Sequence, residues 1–271
     1  MLGDVHEAED LVQETMLRWH QADHAIIHEP EAWLVSVITR LSIDRLRRAS
    51  TEREEYPGPW LPEPIADERY APDRAAEVAS DLSMAFLVLL ERLAPEERAA
   101  FLLREVFDAG YDEIAETLEK TPAAARQTVH RARERIQADR QRFIASPDVK
   151  ERLFSRFVEA LAADDKAGVL AVMADDITWT SDGGGKVPAT RRTVVGSDRV
   201  ARLLIGYETK HNHPFNYRIE AINGEPALVS YVGSRVFAVT FCQTDGERIV
   251  AMYRVMNPDK LMHLHAPPLG V

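Results

Sequence analysis

Between Tyr111 and Ile136 the chain reads YDEIAETLEKTPAAARQTVHRARERI, and this stretch restricts the fold more than any other. Its first part carries Ile114, Ala115 and Leu118 at helical spacing and stops at Glu119-Lys120. Thr121 supplies a hydroxyl N-cap. Pro122 suits the first helical position, where its missing N–H would be unpaired in any case. Ala125, Val129, Ala132 and Ile136 then recur at i, i+4, i+7 and i+11, which at about 100° per residue keeps them on one stripe. The other faces carry Arg126, Gln127, His130, Arg131, Arg133 and Arg135. Two short helices, a tight turn and a basic second helix predict a helix-turn-helix whose second helix enters a DNA major groove. An ordinary helical hairpin with a solvated arginine face would use the same letters.

An acidic chain is a poor match for such a helix, so the distribution of charge matters. The net formal charge is −11. Residues 150–271 carry 15 basic and 14 acidic side chains, which leaves 18 and 30 for residues 1–149. Two segments of that acidic half reverse the sign: residues 36–53 hold five arginines against two acids, and residues 123–149 hold six against three. Such local basic faces supply phosphate contacts on an otherwise acidic body.

At 271 residues, with 45% hydrophobic and 28% charged side chains, two or three globular domains are expected. The longest apolar run, Met84 to Leu90, is far short of a membrane span. No basic-plus-apolar leader opens the chain, so the expected setting is cytoplasmic. The single cysteine, Cys242, excludes an internal disulfide framework and a cysteine-based zinc site. No cofactor or metal is expected; His211 and His213 could bind a metal, but no third ligand lies near them in sequence.

Residues 6–20 form a helix with Ala8, Leu11, Val12, Thr15, Met16 and Trp19 on one side and Glu7, Glu9, Asp10 and Glu14 on the other. Pro30 opens a second helix of about twenty residues, with Trp33, Leu34, Val37, Leu41 and Leu46 inward. Arg40, Arg45, Arg47 and Arg48 project near its end, where cations also favour the helix dipole. An aromatic and arginines on one helix suit single-stranded nucleic acid, although a core tryptophan with a solubilising basic end would read the same. Residues 51–80 hold five prolines and read as an extended linker in which Trp60-Leu61 is bracketed by prolines. Residues 81–107 return to helix, with Leu82, Ala85, Phe86, Leu89, Leu93, Ala100, Leu103 and Phe107 inward and Pro95 starting the second of two helices.

From Pro147 the period changes. Residues 148–174 give two helices, residues 176–180 a strand, and residues 198–207 another helix. Apolar and alternating runs follow at 215–222, 227–241 and 248–256, with hairpin signals at Asn223-Gly224 and Asp245-Gly246. Helices followed by an antiparallel meander predict an α+β domain with a curved sheet wrapping the helices. The tail from Asn257 is expected to be largely irregular.

Several of these letters together resemble one family. Residues 6–49, with AEDLVQETMLRW and EAWL…IDRLRR, are similar to region 2 of extracytoplasmic-function (ECF) sigma factors. Residues 81–138 are similar to region 4, and the last 120 residues resemble a SnoaL-like cone. WLPEP at 60–64, DGGGK at 182–186 and NPDK at 257–260 match the subgroup that carries this extension. The expected organisation is region 2 over 1–50, a linker over 51–80, region 4 over 81–142 and the cone over 148–265. The family begins with a further helix before the AEDLVQ-type run, so region 2 is expected to be N-terminally truncated here.

The resemblance implies partners and roles. Core RNA polymerase would be bound through the clamp of its largest subunit and the flap region, with Glu9, Asp10 and Gln13 at the clamp. Trp33, Arg40, Arg45 and Arg48 would lie near the −10 element. Arg126, Gln127, His130, Arg131, Arg133 and Arg135 would meet the −35 element. Many members carry asparagine where this chain has Arg40, so the −10 base preference does not carry over. Trp60, Leu61, Pro62, Glu63 and Pro64 are expected to face Asp182, Gly183, Gly184, Gly185 and Lys186, with Asn257, Pro258, Asp259 and Lys260 completing a regulatory contact. The cone could hold a small-molecule ligand; Asp182, Asp198, His211, His213 and Tyr231 are the residues from which an enzymatic pocket would be built. Asp182 before three glycines better suits a close backbone approach than general-base work. Two rivals stand beside the sigma reading: a one-component DNA-binding regulator whose C-terminal domain senses a small molecule, and an enzyme with a DNA-binding appendage.

Overall fold

A computed structural model describes residues 1–66, 83–140, 146–210 and 215–264. It divides into two compact units, Met1–Glu55 with Val88–Asp139, and Tyr56–Leu87 with Arg140–Val271. Residues 1–55 and 88–139 fall in one unit, and the Trp60 stretch falls in the other.

The first unit is all helix. Helix α1 (Val5–Gln21) starts where Asp4 accepts from the Glu7 N–H at 2.9 Å. Helix α2 (Pro30–Glu54) starts at a proline and runs four residues into the expected linker. Helix α3 (Met84–Leu90) contains the boundary between the units. Helices α4 (Pro95–Glu105), α5 (Tyr111–Thr117) and α6 (Pro122–Arg140) follow. The carboxylates of Glu97 and Glu113 reach back to the Ala94 and Gly110 N–H groups at 3.3 and 2.7 Å, which ties down the starts of α4 and α5. Arg98, buried among these helices, donates to Glu91 at 2.7 Å and to the Met1 carbonyl at 2.8 Å.

Two expected faces are corrected. Val12 and Met16 are about half exposed, as is Leu17, and Ala8 is exposed; Thr15 is the buried residue of α1. The helix packs chiefly on α2, and a single neighbour covers only part of its apolar stripe. Phe107 is 61% exposed because α4 ends at Glu105, before the pattern can turn that ring inward.

The second unit holds α7 (Pro147–Ala162), α8 (Lys166–Ala171), α9 (Ser197–Lys210) and a six-stranded sheet. The strands are β1 (Met173–Asp182), β2 (Val194–Val195), β3 (Asn216–Ile222), β4 (Glu225–Val232), β5 (Arg235–Thr244) and β6 (Ile249–Val255), ordered β2-β1-β6-β5-β4-β3. The meander β3–β6 is antiparallel as expected, but β1 joins β6 in parallel, so the sheet is mixed. A strand separated from its neighbour by a helix and four strands has no hairpin to set its direction. The run at 227–241 is two strands: Val232 pairs with Arg235 across Gly233, whose φ of +60° permits the reversal.

Phe154, Phe157, Val200, Ile177, Trp179, Leu228, Cys242 and Met252 form the core between helices and sheet. Strand β4 is buried on both faces from Glu225 to Tyr231. The tail is less irregular than its composition suggests, since a 3-10 turn (Pro258–Leu261) is capped by Asn257.

Candidate functional site

Within the second unit, residues 56–66 form a strap across the sheet. The Leu61 N–H donates to Asp182 Oδ2 at 2.9 Å, at the end of β1. The Ile65 N–H donates to Asn223 Oδ1 at 2.6 Å and its carbonyl accepts from the Asn223 N–H at 2.9 Å, at the β3–β4 turn. Pro62 and Pro64 favour an extended chain between these two attachment points, which lie four residues apart in sequence.

Asp182 is the hub. Its side chain is fully buried and its carboxylate accepts from the Tyr56 hydroxyl at 2.5 Å, Leu61 N–H at 2.9 Å, Gly184 N–H at 3.0 Å and Lys260 Nζ at 2.8 Å. The Lys260 ammonium also donates to the Leu61 carbonyl at 2.5 Å and lies 3.9 Å from the Trp60 ring centroid. Lys260 is only 5% exposed, so these partners replace its water. Burial, and after it the Asp182 carboxylate, pushes the Tyr56 hydroxyl well above the usual tyrosine range.

The glycines admit this approach. A Cβ on Gly184, where φ is +61°, would meet the Asn257 side chain at 2.4 Å; one on Gly185 would meet Pro57 at 2.5 Å. A Cβ on Gly183 would strike the Val187 carbonyl at 2.4 Å. Lys186 reaches both oxygens of Asp259 at 2.7 Å. Asn257 donates to the Tyr56 hydroxyl at 3.1 Å and caps the turn that carries Pro258, Asp259 and Lys260. Buried Glu63 pairs with His263 Nδ1 at 2.9 Å, and Nε2 of that ring lies 2.7 Å from the Pro64 carbonyl.

The structure thus brings together the three short motifs. Sequence reasoning missed Tyr56 and His263; the placing of Tyr56 directly before Pro-Gly-Pro-Trp was the available signal for one, and the other had none. Asp198 and Tyr231 do not join Asp182. Asp198 is exposed on α9, paired with Lys166 at 3.0 Å, and Tyr231 donates to Glu220 at 2.5 Å. His211 and His213 lie outside the described residues.

In the first unit, Ala125, Val129, Ala132 and Ile136 are buried, which sets the outward face of α6. The turn before it is closed by the Lys120 N–H on the Ala115 carbonyl at 2.8 Å with Glu119 at a φ of +55°. Thr121 Oγ1 accepts from the Ala124 N–H at 3.2 Å. Arg126, Gln127, His130 and Arg131 are exposed. The Arg126 guanidinium stacks 4.9 Å from the Tyr111 ring and, with Gln127, His130 and Arg133, lines an open hollow of ≈ 360 Å³. Arg133 and Arg135 are bonded at 2.5 Å to Glu105 and Glu97 respectively.

On α2, Arg48 is exposed, and Trp33 is half-buried with its ring 5.5 Å from that of Trp19. Arg40 donates to the Thr117 and Glu116 carbonyls at 3.0 and 2.9 Å, capping the C-terminus of α5. Arg45 is bonded to Glu7 and Glu52. Burial raises the Glu7 carboxyl above its usual range, against the pull of Arg45. Glu9, Asp10 and Gln13 are exposed together on α1.

Residues 1–52 match the family model for sigma-70 region 2, and residues 83–136 match that for sigma-70 region 4. The chain is 37% identical to the ECF RNA polymerase sigma factor SigJ of Mycobacterium tuberculosis, over all of this chain and 92% of that protein. The chain belongs to the extracytoplasmic-function RNA polymerase sigma factors. It is also 28% identical to the probable ECF sigma factor SigI of the same organism, over 98% of this chain and 90% of that one. The crystal structure of SigJ superposes with a TM-score of 0.75 at 33% identity, covering 99% of this chain and 93% of that one. The sigma factor accordingly combines the helical regions 2 and 4 with a C-terminal SnoaL-like domain, and its mixed sheet is part of that domain.

Proposed function

We propose that this sigma factor directs RNA polymerase to promoters under the control of its own C-terminal domain, with the Asp182–Lys260 pair as the fastening. Promoter-directed initiation follows from family membership. The control rests on one observation: a single buried carboxylate holds the backbone and tyrosine of the strap and the lysine of the tail together. The strap is the segment that leads from region 2 towards region 4, so fastening it limits the spacings the two regions can adopt.

In this reading Arg126, Gln127, His130 and Arg131 meet the −35 element from α6, flanked by Arg133 and Arg135. Trp33, Arg40, Arg45 and Arg48 serve the −10 element. Arg40 is engaged with α5 in the described conformation and has to leave those carbonyls to reach DNA. Glu9, Asp10 and Gln13 dock on the polymerase clamp, and region 4 meets the flap. The setting is the cytoplasm, where polymerase works; no described helix is long and apolar enough to cross a membrane. An enzymatic role finds no support at Asp182, because a carboxylate accepting four hydrogen bonds is not available as a general base.

The test is promoter-directed transcription with core polymerase, comparing the intact protein with Trp60→Ala, Asp182→Ala and a chain cut before Asn257. A change in output for the three variants supports control through this contact. Unchanged output from all three sinks it.

A further inference from the structure

Behind the fastening lies a cavity of ≈ 290 Å³ that the regulatory reading does not use. One wall is the rim of the sheet, with Phe215, Val236 and Phe237. The opposite wall is Val187, Met256, Pro258 and Leu261. Each of these four adjoins or belongs to the fastening. Val187 follows Lys186, and the Met256 N–H donates to the Asp182 carbonyl at 2.7 Å. Pro258 is in the capped turn, and Leu261 follows Lys260. The cavity is therefore bounded by the back of the contact that holds the strap.

Its chemistry is one-sided. Among the described residues every lining side chain is apolar except Arg235, and none is a carboxylate. Arg235 is exposed and, among the described residues, has neither a hydrogen bond nor an ion pair. Small-molecule sites of roughly 300–1,000 Å³ combine an apolar lining with a few polar groups that fix orientation, and this cavity lies just under the lower bound of that range. At the roughly 30 Å³ that a water molecule occupies in the liquid, it has room for about ten non-hydrogen atoms. A guanidinium at the rim selects a carboxylate, which it grips in a two-pronged fashion.

We propose that this cavity binds a small amphipathic monocarboxylate, its apolar body between the sheet rim and the 257–261 turn and its carboxylate on Arg235, and that occupancy shifts the hold on the strap. Binding stands on the cavity alone; the consequence for the strap rests on the regulatory reading above. The bound body pushes on Met256 and Leu261, residues next to Asn257 and Lys260. A ligand changes the fastening only by binding its closed and open forms unequally, and a wall shared with the fastening provides that difference.

Octanoate, with ten non-hydrogen atoms, is the probe, titrated calorimetrically into the full chain. The expected result is saturable one-to-one binding, weakened about tenfold by Arg235→Gln and for the neutral analogue 1-octanol. Val236→Trp, which fills the cavity from its partly exposed rim, should abolish binding while leaving circular dichroism and melting unchanged. Saturating octanoate should change promoter-directed transcription by the native chain and not by Val236→Trp. The proposal is overturned by equal affinity in the native chain and Arg235→Gln, by no saturable binding, or by unchanged transcription at saturation. Transcription by Lys260→Met without octanoate tests the fastening separately: unchanged output there removes the regulatory reading and leaves the binding result standing.

Discussion

Lys260 Nζ lies 2.8 Å from Asp182 Oδ2 with both side chains buried, 78 residues apart in sequence. A buried ion pair adds little to stability compared with an apolar pair, but removing one member leaves the other charge stranded. Lys260→Met should therefore destabilise the second unit by about 3–5 kcal/mol. Asp182→Asn combined with Lys260→Met should recover part of that loss. Urea unfolding of the two single variants and the double one gives the coupling directly; additive losses would show that the pair does not act as a unit.

Tyr56→Phe removes one hydroxyl and nothing else. Because that hydroxyl donates to a carboxylate and accepts from Asn257, the loss should be about 1.5–3 kcal/mol, more than a neutral hydrogen bond contributes. Asn257→Ala should be less than additive with it, since both changes sever the same bond. Denaturant midpoints decide this.

Alkaline pH should loosen the protein. Burial pushes the Cys242 thiol from 9.0 up to about 12, and the Tyr56 and Tyr231 hydroxyls are raised too, by burial first and then by Asp182 and Glu220. A raised folded-state pKa means that the unfolded chain loses its proton first. The stability is complete below the unfolded value and is lost as pH rises towards the folded one. For Cys242 that window runs from 9.0 to about 12, with a slope of about 1.4 kcal/mol per pH unit. Urea midpoints at pH 8 and at pH 10.5 should differ, less so in Cys242→Ala. The native thiol should also resist a disulfide reagent until the chain unfolds.

Gly184 and Gly233 share nearly the same backbone conformation, with φ of +61° and +60°, yet differ in surroundings. A Cβ on Gly233 meets nothing within 4 Å, whereas on Gly184 it runs into Asn257. Gly233→Ala should cost about 1 kcal/mol from backbone strain alone. Gly184→Ala should cost more and should expose the strap to protease near Trp60. Equal effects of the two changes would mean that the close approach is unimportant.

On DNA, Arg126→Ala and Arg131→Ala should weaken binding to a −35 duplex, and a lost phosphate contact lowers the salt slope by about one. Arg135→Ala should change it less, since that guanidinium is bonded to Glu97. Fluorescence anisotropy over a salt series separates these outcomes.

The helix-turn-helix could be read in the chain because four apolar residues define a stripe and Thr121-Pro122 marks a helix start. The three short motifs could be placed together only through resemblance, since nothing local tells Leu61 that its N–H will meet a carboxylate 121 residues away. Tyr56, His263 and the parallel pairing of β1 with β6 escaped for the same reason: long-range pairing leaves no periodic trace. Val12 and Met16 misled because periodicity says which residues share a face and not how many neighbours that face will have. The same holds for residues 56–66, whose proline content signals an extended chain without saying whether it is free or held down.

The parallel alignment of β1 with β6 has one more effect. Asp182 stands opposite Val255, and the chain leaves both strands at the same end of the sheet and in the same direction. Gly183 to Lys186 and Asn257 to Lys260 are therefore set side by side by strand register, whatever lies between them. The chain between Lys186 and Asp259, 73 positions apart, can gain or lose loop length without moving the two ends apart. The domain is open to remodelling in its middle and closed to it at this one doorway.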